Sequence, residues 1–443
     1  MSTGYTRKNP FAIAIMHRNI SDNNPPKPEI LYHYTSMTVM DSLLTKSQFW
    51  ASSIYYLNDA EEYYNGISYL IDLFSAEKTK SGLALKKILQ SIRDDNGYSF
   101  EGMFSLSFST QSDNLHQWIT YAKEGGVCIG LDNNHLSNRI IFLDGMEDNY
   151  LGKCSDVITK ARYLSKNAIK TEKVKNMLKE ALTVCFDEDA RDKIIAEFEN
   201  GELSIETESR VKDYFRLFVS YCKNAAFKME NEYRGVFYPL FAKHTVPPTI
   251  FYHVTSAGIV RPYIKVGFNE PDVYEGICPL PIKSISIGPA GNQQAVFNSV
   301  VHRVKYGTLK TWDYWEHKEN GEFKKNFIDY VCGALEEFTV RNTKKVSEEV
   351  VKGVFTGLIQ DWMLQTDMRY ASPEEQKTLM SQKYMPTDDL CCKRCKKKGV
   401  FEEGGQTDSK DTNEEEILKY IRKNNYFSKE GIWVKKSQIP YVF

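Results

Sequence analysis

An α+β fold, built on a mixed β-sheet split between early and late strands, is what this sequence predicts, and three observations carry the reading. Short β-rich apolar runs at 31–34, 49–54, 104–108 and 127–131 are separated by segments whose apolar residues recur at helical spacing. A helix-patterned stretch from 165 to 227 then delivers the chain into four strand-like runs at 232–238, 250–254, 259–266 and 282–287, punctuated by Pro and Gly. From about 309 the pattern becomes helical again, before a last strand-like run at 431–441. The prediction is a sheet surrounded by helices and interrupted by a helical insertion.

Composition sets the outer bounds. The 443 residues are enough for one large or two to three ordinary domains, and 42% hydrophobic with 13% aromatic content argues for a packed core rather than long disorder. A formal net charge of −1 and a pI near 6.7 give no global field to hold a polyanion, which disfavours generic DNA binding. Nine cysteines, odd in number and mostly scattered through apolar segments, fit reduced thiols and a cytoplasmic setting. No stretch approaches the roughly 20 apolar residues of a membrane span. The run 11–16 is short, is followed by His17 and Arg18 and lacks a small-residue cleavage site, so neither export nor a membrane partner is expected.

In chain order, residues 1–28 read as a mobile leader ending in Asp22-Asn23-Asn24-Pro25-Pro26. A strand at 31–34, a helix at 37–46 capped by Thr35 or Ser36, and a strand at 49–54 form an opening compact enough to bring His33 together with Ser52 and Ser53. Asn58-Asp59 reads as an Asx turn capping a helix at 60–74, and 83–93 follows as another helix. Trp118 and Tyr121 lie on a helix at 113–123 that Gly125-Gly126 terminates; core packing is their plainer role and lining a pocket the other. The helical stretch 165–227 is interrupted near Asp187 and 199–202 and ends with Val211, Phe215, Phe218, Cys222 and Ala225 at helical spacing.

Residues 29–308 plus 414–443 thus read as one α+β domain. The insertion spans 309–390, with amphipathic helices at 327–340 and from Val350 to Trp362, and is a surface for a protein partner. Residues 391–413 turn from basic to acidic and Gly-rich, as a flexible charged linker does. Cys391, Cys392 and Cys395 form a CxxC there without a second pair or an adjacent His, which points to an incidental, solvated cluster and no metal. A last helix covers 414–423.

Few chemical motifs stand out. No GxSxG, HExxH or Walker sequence is present, and Gly288-Pro289-Ala290-Gly291, although it follows a strand, lacks the phosphate-binding fingerprints. Glu230 and Glu232 are the strongest candidates: at a strand's period of two they share a face, so one can hold a sugar while the other activates an acceptor. The plainer reading is a structural ion pair with Arg234 or Lys228, because carboxylates entering a buried strand need partners.

Six segments taken together resemble a bacterial domain-of-unknown-function family that opens with LYHYTS-like strands. Its FNDPxE, WxxYA followed by GxCIGxD, ExEYR, IxxIxxGP and SxIPYR motifs appear as 57–61, 118–122 followed by 126–132, 230–234, 285–289 and 437–441. The chain departs from the pattern at Ala60 in place of Pro, Phe227 in place of Trp and Val442 in place of Arg, and the match skips 309–413. The order of residue types also resembles the ADP-ribosyltransferase superfamily, whose first strand carries a His or Arg, whose second carries a Tyr or Ser-Thr-Ser element and whose later strand carries a Glu or ExE.

That second resemblance implies a split-sheet domain that consumes NAD as a substrate, without a metal. It casts Glu232, Glu230 and His33 as catalytic residues, with His33, Tyr34, Thr35, Ser52, Ser53, Tyr55, Trp118 and Arg234 around the NAD. The implied activity is cleavage of the nicotinamide glycosidic bond, as an ADP-ribosyltransferase with a protein or nucleic-acid acceptor or as an NAD glycohydrolase. The implied setting is a bacterial toxin or phage-defence effector. The chemistry is sound on general grounds, since a fixed carboxylate stabilises oxocarbenium charge more in the transition state than in the ground state. The rival expectation is a non-catalytic nucleotide-sensing or protein-interaction module of a defence system.

Overall fold

The computed structural model of the chain describes residues 27–57, 61–76, 78–94, 103–123, 125–144, 153–164, 182, 186, 188–237, 248–255, 258–270, 277–317, 320–366, 372, 374, 388–400 and 413–439. The expectations for the leader at 1–26, for Asn58-Asp59, for most of 165–187, for 401–412 and for the end of the closing segment lie outside these residues. Helices and a mixed set of strands make the fold α+β. None of the described helices is long and apolar enough to cross a membrane.

The described strands are β1 (Ile30–Thr35), β2 (Phe49–Ser53), β3 (Phe104–Ser109), β4 (Val127–Asp132), β5 (Ile140–Leu143), β6 (Ile158–Lys160), β7 (Arg162–Leu164), β8 (Cys222–Asn224), β9 (Glu232–Phe237), β10 (Phe251–Val254), β11 (Val260–Asn269), β12 (Ile282–Ile287), β13 (Asn425–Phe427) and β14 (Trp433–Lys436). The helices that matter below are α1 (Met37–Lys46), α2 (Glu61–Ser75), α3 (Ile205–Ser220), α4 (Glu322–Asn342), α5 (Glu348–Met363), α6 (Asp388–Lys397) and α7 (Glu414–Asn424). The chain divides into two compact units, each discontinuous in sequence.

The first unit takes in 47–111 and 133–278. Its sheet is antiparallel throughout: β11 pairs with β10, β2 and β5, β2 with β3, β3 with β9, and β9 with β6. The β3–β9 register sets Ser107 opposite Arg234 and Ser109 opposite Glu232, which positions the charged centre described below. β7 and β8 form a separate parallel pair. The helical core beside the strands buries Ile67, Leu70 and Phe74 of α2 together with Val211, Phe215 and Phe218 of α3, but the expected helical run stops at Ser220, and Cys222 and Ala225 fall in β8 and a 3-10 helix instead. Ser204 caps α3 by accepting from the Thr207 N–H.

The second unit takes in 32–46, 112–132 and 279–443. Its strands run in the order β1-β4-β12-β14-β13, with β12 antiparallel to β4 and parallel to β14. The helices expected as an insertion are not separate from this unit, because Phe327, Val331 and Leu335 of α4, Val354 and Ile359 of α5, and Ile417 and Ile421 of α7 share one buried cluster with Phe427 of β13. The expected linker also needs correction at its start. α6 covers 388–397, since Cys391, Cys392, Cys395 and then Val400 turn inward and bury while the intervening basic residues face solvent.

Candidate functional site

Five ionisable side chains meet in the interior of the first unit. α2 supplies Glu62, β8 supplies Lys223, and the ENEYR segment supplies Glu230, Glu232 and Arg234; all five are buried. Lys223 follows α3 directly and lies at the end of that helix's apolar run, which carries its stem inward. Its Nζ lies 2.7 Å from Glu230 Oε2, 2.9 Å from Glu232 Oε2 and 3.1 Å from Glu62 Oε1.

Glu232 sits at the centre, 2% exposed. Its Oε1 accepts from Arg234 Nε at 2.6 Å and Ser107 Oγ at 2.7 Å; its Oε2 accepts from Lys223 Nζ at 2.9 Å and Arg234 Nη2 at 3.1 Å. Arg234 also donates to Glu62 Oε2 and, through Nη1, to the Ser220 carbonyl. Burial alone would push the Glu232 carboxyl up, but Arg234 and Lys223 more than offset it and hold the group at about 2. Burial raises Glu62, and Arg234 and Lys223 only partly oppose that rise. Burial likewise works against the Arg234 charge, and Glu232 and Glu62 overcome it, so the guanidinium is held more firmly charged than usual.

The convergence of Glu230 and Glu232 has a different origin from the strand period. Glu230 ends a 3-10 helix, Ala225–Glu230, and β9 begins only at Glu232. Asn231 between them is left-handed, with φ 46° and ψ 47°, a conformation that Asn tolerates better than most residues. That turn, fixed by the Asn231 N–H on the Lys228 carbonyl and by Ser109 Oγ on the Glu230 carbonyl, brings both carboxylates to Lys223. Of the two ion-pair partners expected from the sequence, Arg234 binds Glu232, while the lysine of the cluster is Lys223 and not Lys228. Lys223 and Glu62 were not foreseen; a lysine inside the apolar run of α3 and β8 is the one signal that pointed to a buried cation.

Three further expected residues belong to this unit. Ser52 pairs across to Tyr263 and Ser105 and is half-buried, and the Tyr55 ring meets Tyr63 edge-on at 5.0 Å. Ser53 is fully buried, and its Oγ, like that of Ser105, has no hydrogen-bond partner among the described residues.

His33, Tyr34, Thr35 and Trp118 belong to the second unit. His33 is half-buried, and Thr35 is buried at the end of β1. Tyr34 and Trp118 form a packing centre with Ala122 and Cys128, their rings edge to face at 4.8 Å. The Tyr34 hydroxyl accepts from the Asn114 N–H, and burial pushes the phenol well above its usual range. Trp118 Nε1 donates to Asp113 Oδ1 at 2.6 Å, and the same carboxylate takes Ser437 Oγ and the Gln438 N–H, tying the SxIP segment into the unit. Gly288 is not a phosphate cradle: its N–H donates to the Gly126 carbonyl, and a Cβ there would lie 2.8 Å from the Trp118 ring. The family-like glycine serves close packing.

Residues 117–235 match the model of a family described as "Protein of unknown function (DUF2971)". The match takes in the WxxYA, GxCIGxD and ExEYR segments on which the resemblance to an uncharacterised family rests. No curated protein and no solved structure matches the chain.

Proposed function

We propose that the chain acts by binding rather than by chemistry at Glu232, as a nucleotide-sensing or protein-interaction module of a defence system. One observation carries this: both Glu232 oxygens are occupied by donors from its own unit, at 2.6 to 3.1 Å. To meet a nicotinamide ribose the carboxylate would have to give up partners in a nearly dry site, where breaking a buried pair costs about 3 to 5 kcal/mol. The interaction half of the reading gains support from β10, an outer strand whose Tyr252 and Val254 stand exposed beside Val260 of β11. Incubation of the full chain with labelled NAD tests the proposal. Neither nicotinamide release nor label transfer is expected under conditions where a known transferase works, and release would overturn it.

A second reading is the NAD-consuming, ADP-ribosyltransferase-like enzyme, favoured by the unpartnered buried hydroxyls of Ser53 and Ser105. Such groups are what a ligand amide or ribose would satisfy. In this reading Glu232, kept ionised by Arg234 and Lys223, stabilises the oxocarbenium, with Glu230 assisting and a macromolecule or water as acceptor. Glu232→Gln would then reduce nicotinamide release by about 100-fold to 1000-fold. Release unchanged in that variant would remove Glu232 from the mechanism.

A further inference from the structure

The fold assembles a cysteine cluster that the sequence does not display. Cys391 and Cys395, four residues apart, share the inner face of α6, and α4 brings Cys332 to them from about 60 positions upstream. All three side chains are fully buried. Their sulfurs lie 3.8 Å apart for Cys332–Cys391, 3.8 Å for Cys391–Cys395 and 2.6 Å for Cys332–Cys395. The three Sγ atoms fall within one metal-sized space.

We propose that Cys332, Cys391 and Cys395 form a three-thiolate site for a zinc-class metal ion that staples α6 to α4. Sulfurs tetrahedrally bound to zinc at about 2.3 Å are separated by about 3.8 Å. Two of the three distances already have that value, and ligation would open the third to match. The surroundings supply the charge such a site requires. Three thiolates around a divalent ion leave one negative charge, and α6 and its end carry Lys393, Arg394, Lys396, Lys397 and Lys398 on the outer face of the same turns. Lys398 and Arg394 also tie back to α4 through Glu336 and Asp329, so cations and cysteines fasten the same two helices.

Cys392 is buried but lies outside the converging set, and the fourth position is left to a donor other than these three cysteines. Metal entry forms three metal–sulfur bonds and releases the thiol protons to solvent, with no change of oxidation state.

The test uses the full chain, purified anaerobically with reductant, loaded with zinc and dialysed into metal-free buffer. About one zinc per chain is expected, retained through dialysis and removed by a chelator. Cobalt exchange should give thiolate-to-metal charge-transfer absorption, and Cys332→Ser and Cys395→Ser should each weaken cobalt binding by at least about 10-fold. Cys278→Ser, a half-buried cysteine of the first unit, should leave it unchanged. If a serine variant fails to fold, the wild-type stoichiometry still decides. Zinc well below one per chain, or a Cys332–Cys395 disulfide recovered under the same reducing conditions, would overturn the proposal.

Discussion

Glu232 in the first unit and Asp113 in the second are both carboxylates drawn inward by packing, yet they are answered by different chemistry. Asp113, only half-buried, is held by neutral donors: an indole N–H, a hydroxyl and a backbone amide. Glu232, nearly dry, takes two cations and a hydroxyl. The difference follows from desolvation. A carboxylate that keeps some water needs only hydrogen bonds, whereas one that loses it needs opposite charge, and the cations then need further carboxylates of their own. Glu230 answers Lys223, and Glu62, whose carboxyl burial raises, accepts from Arg234, so the cluster closes on itself.

The contrast can be broken, and the largest effect should come from Arg234→Met. It leaves three carboxylates to Lys223, and a loss of about 3 to 5 kcal/mol in denaturant unfolding is expected. A loss below about 1 kcal/mol would mean that Glu232 finds water and that the cluster is open.

Acid should distinguish the units next. The Glu232 pKa is depressed from 4.5 to about 2, so its stabilisation is present above pH 4.5 and is lost as pH falls toward 2. Unfolding midpoints measured across that window should fall in wild type and fall less steeply in Glu232→Gln.

In the second unit, Gly288→Ala forces a methyl against the Trp118 ring and the Gly126 carbonyl, and about 1 to 3 kcal/mol should be lost. No pH dependence should accompany it. A neutral result would show that Trp118 can retreat.

The smallest effect is expected for Glu62→Gln. Burial raises this pKa, so the group's contribution is full below pH 4.5 and is lost as pH rises through the raised value. The variant should therefore gain on wild type between acid and neutral pH, by about 1 kcal/mol or less. A variant that loses ground with rising pH would show that the Glu62 charge is needed.

Much of the fold is legible in the chain because its periods are clean. α1 begins and ends at Met37 and Lys46 and β12 at Ile282 and Ile287, as their patterns predict, and β9 starts at Glu232. What escaped has physical causes. β6, β7, β8 and β13 are three residues long, too short to show a period of two, and they exist because neighbouring strands offer them hydrogen bonds. α6 reads as a charged linker because its basic residues outnumber the few inward cysteines that fold it.

The candidate site was legible in part. Glu230, Glu232 and Arg234 stand together in sequence, and an ion pair between Glu232 and Arg234 follows from burial alone. Glu62 lies far upstream and Lys223 on a strand too short to read, and the packing of α2 against β8 brings them in. The identity of Asn231 is the one local sign of the left-handed turn that, in place of the pleat, aims Glu230.

A double-mutant cycle on Glu232→Gln and Arg234→Met tests the closed-cluster account most directly. Each single variant strands buried charge, so the double variant should cost less than the sum by about 2 kcal/mol or more in equilibrium unfolding. Effects that add to within about 0.5 kcal/mol would show that the two side chains act independently, and would contradict the account.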